Sequence, residues 1–378
     1  MHQKLKPTIL AALVLAFSMF GDTFLYAVLP TNAAQLNVPI VWIGFLLSIN
    51  RFIRLVFNQW FALLFSKYGF RHITILAASL SVISTFMYGI ASGVFIWIVA
   101  RIFWALSYSA LRISSINYSL DAPKQGFGLG LSRGLQETGP LLALPFGSLL
   151  LQWTNPQTTF IVLAIASVSS VVIAFYLPEL KIEKTNQSFH FNFIPSTFNF
   201  LVFVSALLIE GMLVVMLGKL FSGNQLSILE ITKLSASYLA FRRICIIIIS
   251  PPAGLLADRW DIEKVFLSAI VLSISALLFI AFDFTKTGIV LAFIANSISS
   301  ALAPAASLTE TGNRLKEVAA NTTWRDFGAA LGALGGGFLI SFHNTILVFF
   351  IATFILSMAL VIHQIKTKII LTKNISWK

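Results

Sequence analysis

The sequence is short of most of what a soluble enzyme is built from. Of 378 residues only Cys245 is a cysteine. It lies in an apolar run, so the chain can build neither a disulfide framework nor a thiolate metal site. The thiol reads as a small buried hydrophobe. The five histidines, His2, His72, His190, His343 and His363, are far apart, and no H-E-x-x-H spacing occurs. That removes the helical pair a zinc hydrolase needs, and neither metal nor cofactor is expected. Charge is scarce too. Asp, Glu, Lys and Arg make up 11% of the residues, against about 25% in a typical soluble chain. A soluble fold so poor in charge would be hard to keep dissolved. Acids are the scarcer sign, 14 against 26 bases. No polar stretch is long enough to fold as a soluble domain.

What the chain has instead is apolar length. Apolar residues make up 57% and the mean hydropathy is +0.88. About 20 helical residues cross about 30 Å of hydrocarbon. Twelve runs are long enough: 8–33, 41–65, 72–92, 94–119, 124–151, 157–177, 195–219, 231–256, 263–282, 287–312, 317–341 and 344–365. The expected class is therefore all-α and membrane-integral. The longest polar stretch, from Glu179 to about Phe193, predicts a cytoplasmic linker over 179–194. It divides a six-helix half at 1–178 from another at 195–378, which ends in a short tail. Met1 to Lys6 resembles the basic flank of a signal peptide. The apolar run behind it is too long and carries Asp22, so it reads as a retained first helix.

Lys and Arg set the orientation. With the N-terminus inside, the inner loops hold Lys4, Lys6, Lys67, Arg71, Lys124, Lys181, Lys184, Arg259, Lys264, Arg314, Lys316, Lys366, Lys368, Lys373 and Lys378. The outer loops hold little beyond Lys219, Lys233 and Lys286. Both termini are expected on the cytoplasmic side of an inner membrane. This bias explains the net charge of +12. The charges form no single patch, so a nucleic-acid partner is not expected.

The chain also repeats itself. Ala62-Leu63-Leu64-Phe65-Ser66-Lys67-Tyr68-Gly69-Phe70-Arg71 joins one apolar run to the next, and Gly254-Leu255-Leu256-Ala257-Asp258-Arg259-Trp260-Asp261-Ile262-Glu263-Lys264 does the same 192 residues later. Asp22 matches Glu210, Asn50-Arg51 matches Arg242-Arg243, and Glu137-Thr138-Gly139 matches Asp326-Phe327-Gly328, all at nearly the same offset. Parallel repeats of this kind belong to secondary transporters.

On these residues the chain resembles the major facilitator superfamily over essentially its whole length. The run from Gly254 to Arg259 is close to that family's loop signature, G-x-L-a-D-R-x-G-R followed by a base. It departs at Asp261, where glycine is usual, and at Glu263, where a base is usual. The first copy keeps Gly69 and Arg71 but has Ala62 for the first glycine and Ser66 for the aspartate. Arg101 with Ala105 and Ser107 is similar to a degenerate helix-4 arginine motif. Gly130, Gly134 and Gly139-Pro140 resemble the helix-5 motif of antiporters. The resemblance implies two pseudo-symmetric six-helix bundles around a cavity that opens alternately to each side. It also implies that Gly69, Arg71, Gly254, Asp258 and Arg259 belong to gating loops. An aspartate at a neighbouring helix's N-terminus gains about 0.3–1 kcal/mol. Ser66 cannot supply that charge, so the second loop is expected to be the stronger gate.

A charge at mid-bilayer costs roughly 2.5–3.5 kcal/mol on insertion scales and normally faces the protein interior. The mid-run charges are Asp22, Arg51, Arg54, Arg101, Arg112, Arg133, Glu137, Glu210, Arg242, Arg243 and Asp326, seven bases to four acids. An excess of arginine suits an anionic substrate, because the guanidinium fork binds carboxylate bidentately. The candidates for substrate contact are Arg51, Arg54, Arg101, Arg112, Arg133, Arg243 and Asp326, with the aromatics Tyr26, Trp104 and Tyr108 on the same helices. Asp22, then Glu137, then Glu210 are the candidate proton carriers, since desolvation and arginine pull a carboxyl in opposite directions. The bland alternative is a set of internal salt bridges, such as Asp22 with an arginine of helix 2 or helix 4. Adjacent Arg242 and Arg243 cannot both face one cavity squarely. Most of the 35 phenylalanines read as lipid contact or packing, and Trp42, Trp97 and Trp153 as interfacial anchors. Gly130/Gly134 and Gly332/Gly336 read as close helix packing. The glycines at 126, 128 and 130 follow no strand, so they are no nucleotide loop.

The expectation is a monomeric, lipid-embedded, proton-coupled transporter of a small organic molecule. It leans to export of an anionic or amphipathic compound, such as a siderophore-like polycarboxylate, by antiport. Uptake of a carboxylate or metal chelate is the alternative. A membrane enzyme or a non-transporting sensor is the reading from another class. The chain offers no acid/base or metal cluster for the first and no appended signalling domain for the second.

Overall fold

The computed structural model describes residues 2–180, 194–222, 227–309, 314–342 and 344–375. Twelve rods follow in chain order. α1 comes in two pieces, His2–Ser18 and Phe20–Val28. Then come α2 Ile40–Tyr68, α3 Phe70–Ile90, α4 Val94–Leu120, α5 Gln125–Trp153 and α6 Pro156–Ala174. α7 runs Thr197–Ser205, a π-helical stretch Ala206–Met212, and Leu213–Phe221. After it come α8 Ile228–Trp260, α9 Ile262–Ala281, α10 Thr285–Ala306, α11 Arg314–Leu339 and α12 Thr345–Ile375. Most of the expected linker, 181–193, and the end of the tenth expected run, 310–312, lie outside the described residues. So do Lys181, Lys184, His190, His343 and Lys378. Among the described residues there is no strand.

Ten of these helices are long and apolar enough by themselves to cross a membrane. α5 and α11 are not among them, because each spends its length on glycine and charge. They are the helices on which the others close in. A side chain at Gly139 of α5 would run into the Ala16 carbonyl of α1, and one at Gly332 of α11 would run into the Leu207 carbonyl of α7. Small residues let membrane helices approach to backbone contact.

Local signals set several helix starts. Asn155 accepts a hydrogen bond from the Thr158 amide, with Pro156 opening α6. Ser196 accepts one from the Asn199 amide at α7. Ser227 and Glu230 form a reciprocal capping box at α8. Caps of this sort satisfy amides that have no partner within the helix. α1 ends at Val28, short of the expected residue 33, because Pro30 follows and the chain turns there.

Three hydrophobic cores hold the rods. One lies wholly in α7–α12, around Phe198, Leu213, Phe266 and Phe349. A second joins α1–α6 near Phe24, Tyr88, Trp97 and Phe160. The third lies at the end of the assembly that carries the repeated loops. It mixes Leu15, Phe65, Phe70 and Leu111 with Ala305, Leu315, Val318 and Ala319. The two groups of helices therefore share a core at the motif end. Along the α5–α8 seam the backbones touch from Gly126 against Gly254, through Gly130 against Ser250, to Gly134 against Ile247. Beyond that point none of residues 230–244 of α8 is buried on any face. The assembly is sealed at the motif end and parted at the other.

Trp97 is no interfacial anchor. It is fully buried and stacks on Tyr88 at 5.2 Å. Trp153, by contrast, is 81% exposed.

Candidate functional site

Just past the sealed section the mid-depth charges meet. All four acids are taken. Asp22 of α1 binds Arg101 of α4, whose guanidinium also donates to the Leu46 carbonyl (2.7 Å) and to the Tyr88 hydroxyl (3.1 Å). Glu210, on the π-helical stretch of α7, pairs with Arg325 of α11 at 2.9 Å. These two pairs each lie inside one group of helices. The other two span the groups. Glu137 of α5 receives Arg133 of its own helix at 2.9 Å and Arg243 of α8 at 2.6 Å. Asp326 of α11 receives Arg54 of α2 at 3.4 Å and the Asn58 amide at 3.3 Å.

The arginines are not all used. Arg112 of α4 is 4% exposed, and its Nε has no hydrogen-bond partner. Among the described residues its one side-chain hydrogen bond is to the Tyr108 hydroxyl at 3.4 Å. Arg242 of α8 has a buried, unbonded Nε as well. Arg51 lies one turn from Arg54 towards the parted end. Among the described residues none of the three has a carboxylate within 4.0 Å. Arg325, Arg133 and Asp326 act electrostatically on Arg112; Glu210, Glu137, Arg325 and Arg243 act on Arg242. Tyr108 joins Arg112 to Arg54, whose guanidinium lies over its ring at 4.5 Å.

Arg54, Arg112, Arg133, Arg243, Asp326 and Tyr108 are thus brought together where the groups of helices meet. Tyr26, 38% exposed, lies at the edge and donates to the Leu47 carbonyl at 2.9 Å. Two expected cavity residues do not line the opening. Arg101 is fully buried behind Tyr26, with its donors occupied, and Trp104, 1% exposed, packs against the Tyr108 ring at 5.7 Å. A run read one residue at a time does not say which helix face points inward. Arg325 was not singled out in the sequence, although it stands beside Asp326 just as Gln136 stands beside Glu137.

The two motif loops close the motif end differently. Asp258 accepts from the Gly126 and Phe127 amides, both at 2.8 Å, and so caps α5 from the other group of helices. Asp261 turns the chain at φ 152° and accepts from the Glu263 and Lys264 amides that open α9. In the first copy Ser66 donates to the Leu63 carbonyl of its own helix at 2.8 Å. Gly69 makes the turn at φ 81°. The start of α3 is capped from afar by Glu179, which accepts from the Phe70 amide at 2.5 Å and the Arg71 amide at 3.3 Å. Arg71 in turn donates to the Phe175 carbonyl at 2.7 Å. Arg259 is exposed beside Asp258.

A family model, the Major Facilitator Superfamily, matches residues 11–229. Several solved structures share the fold. The human organic anion transporter MFSD10 (TETRAN) is 13% identical with a TM-score of 0.76, covering 95% of this chain and 99% of that one. The E. coli fucose:proton symporter FucP is 13% identical with a TM-score of 0.73, covering 95% and 98%. A bacterial homologue of the iron transporter ferroportin, outward-facing with soaked iron, is 12% identical with a TM-score of 0.73, covering 95% and 98%. At such identities the likeness shows the fold alone. No curated protein sequence matches the chain.

Proposed function

The chain belongs to the major facilitator superfamily, and we propose that it is a secondary transporter that carries a small organic anion by alternating access. The observation that carries this reading is the buried Arg112 together with the half-buried Arg242, each with an enclosed, unbonded Nε and no carboxylate within 4.0 Å, while every nearby carboxylate is already paired. An unpaired buried cation is costly, and a bound anion is what offsets the cost. The ligand enters from the parted end. Release at the other face requires the α5–α8 and α2–α11 seams to open. The halves that rock are residues 1–178 and 195–378, joined by 179–194. The Lys/Arg bias supports a multi-pass inner-membrane monomer with both termini, and the motif loops, on the cytoplasmic side. The described state is then outward-open.

In this reading Glu137 carries the proton. Asp22 and Glu210 are each locked to an arginine within one half, whereas Glu137 is held by both. Protonating Glu137 releases Arg133 and Arg243 to the ligand. Proton and anion therefore assist one another's binding, which favours their moving together, as in uptake. Export by antiport rests on Gly139-Pro140 and on Asp22, but Gly139 is required by the α1–α5 contact in either case and Asp22 is engaged by Arg101.

The test is thermal stabilisation of the purified chain by a panel of carboxylates and organic cations. A true ligand at 100 times its Kd adds about 2.7 kcal/mol. Stabilisation by carboxylates alone is expected; stabilisation by cations or neutral compounds alone overturns the reading. In vesicles, Glu137→Gln is expected to abolish pH-driven accumulation of the stabilising anion while counterflow persists. Full pH-driven accumulation in that variant removes Glu137 from the coupling.

A further inference from the structure

We propose that the ligand carries at least two negative charges and bridges the halves, held by Arg112 from the first and by Arg242 from the second. The inference rests on the anion reading above and specifies it.

Where the halves meet, three carboxylates, Glu137, Glu210 and Asp326, engage four arginines, Arg133, Arg243, Arg325 and Arg54. Arg51, Arg112 and Arg242 remain. A single negative charge would still leave two of these three without a partner. The remaining cations also come from both sides of the seam, Arg51 and Arg112 from α2 and α4, Arg242 from α8. Arg112 and Arg242 both stand at cross-seam contacts: Arg112 touches Tyr108, over whose ring lies Arg54, the partner of Asp326 on α11, and Arg242 adjoins Arg243, the partner of Glu137 on α5. Tyr108, the neutral group nearest Arg112, offers a hydroxyl but no charge.

Like charges facing across the seam oppose its closure on the parted side. A monoanion bound to one arginine leaves the opposing one unneutralised. A ligand with two anionic groups satisfies both forks at once and removes the repulsion that holds the halves apart. The bridging ligand is thus also what allows the parted end to close, which is the step that commits it to transport. Paired carboxylates and a diphosphate share this chemistry.

The test is binding to the purified full chain at fixed ionic strength, read as the shift in melting temperature against concentration. The probes are acetate, succinate and citrate in one arm, inorganic phosphate and pyrophosphate in the other. The arm with the tighter probes identifies the anionic group. Within an arm, the multivalent probe is expected to bind at least about tenfold more tightly than the least charged one. In Arg112→Gln and in Arg242→Gln that preference is expected to fall below about threefold, with monovalent binding little changed. Arg112→Lys keeps the charge without the fork and is expected to be intermediate. Should the glutamine variants fail to fold, the valence series on the unsubstituted chain and the lysine variant still decide. Equal binding of acetate and citrate, or a preference that survives both substitutions, overturns the bridging proposal and leaves the anion reading standing. No binding by any anion overturns both.

Discussion

The first copy of the motif loop works within its own half of the molecule, and the second reaches into the other half. Glu179 caps α3 and Arg71 ties that helix start to Phe175, all within the first six helices. Asp258 instead caps α5 across the seam, beside the point where the Gly126 and Gly254 backbones touch. One sequence pattern thus serves as a strut in one half and as a latch in the other. What separates them is a single residue type at the equivalent place, Ser66 against Asp258. The carboxylate gives one oxygen to each of two foreign amides, whereas the Ser66 hydroxyl is spent on a carbonyl of its own helix. The turns diverge similarly. Gly69 turns freely and borrows its cap, whereas Asp261 adopts a backbone conformation that favours glycine and supplies the cap itself.

The largest way to break the comparison is Gly254→Leu. No side chain fits against Gly126, so the sealed end cannot re-form. Spin labels at Lys124→Cys and Trp260→Cys are expected to report a motif end that is open in most molecules; an unchanged short distance contradicts the latch. Next is Asp258→Asn, which keeps the shape and loses the charge at the α5 N-terminus. A loss of about 1 kcal/mol, roughly fivefold in the open population, is expected in the same measurement. Glu179→Gln is expected to lower the melting temperature by the equivalent of about 0.5–1 kcal/mol without moving the label distance. A shifted distance would mean that the first copy latches too. The smallest effect is Asp261→Gly, where relief of the strained φ offsets the lost cap. Its stability is expected to change by only a few tenths of a kcal/mol, while Asp261→Ala loses about 1–2 kcal/mol.

The same contrast explains what the sequence disclosed and what it withheld. The helices were legible because membrane spans need length and apolarity, and the repeat because its charges recur at one spacing. The acids lie on helices six apart in chain order, Asp22 on α1 and Glu210 on α7, Glu137 on α5 and Asp326 on α11. Their arginines do not match. Asp22 takes Arg101 from α4, whereas Glu210 takes Arg325 from α11. Pairing is decided by which faces of distant helices meet, and periodicity along one helix is silent on that. Arg101 and Trp104 were therefore expected in the cavity and are found in packing. Glu179 read as the start of a linker because its partners are over a hundred residues away. The π-helical stretch carrying Glu210 left no signal, although such stretches often mark functional sites.

The excess of arginine was visible in the sequence; that Arg51, Arg112 and Arg242 are the ones left without a carboxylate was not. Whether Arg112 is truly waiting for a ligand is tested most directly by the melting temperature of Arg112→Met without any added anion. Replacing an unpaired buried charge by an apolar side chain of similar length removes its desolvation cost. The unliganded variant is expected to be more stable than the parent by about 1–3 kcal/mol, and to have lost the extra stabilisation that citrate gives over acetate. A variant less stable than the parent, or one that keeps the full preference for citrate over acetate, would show that Arg112 is held by the fold itself and is not part of the anion site.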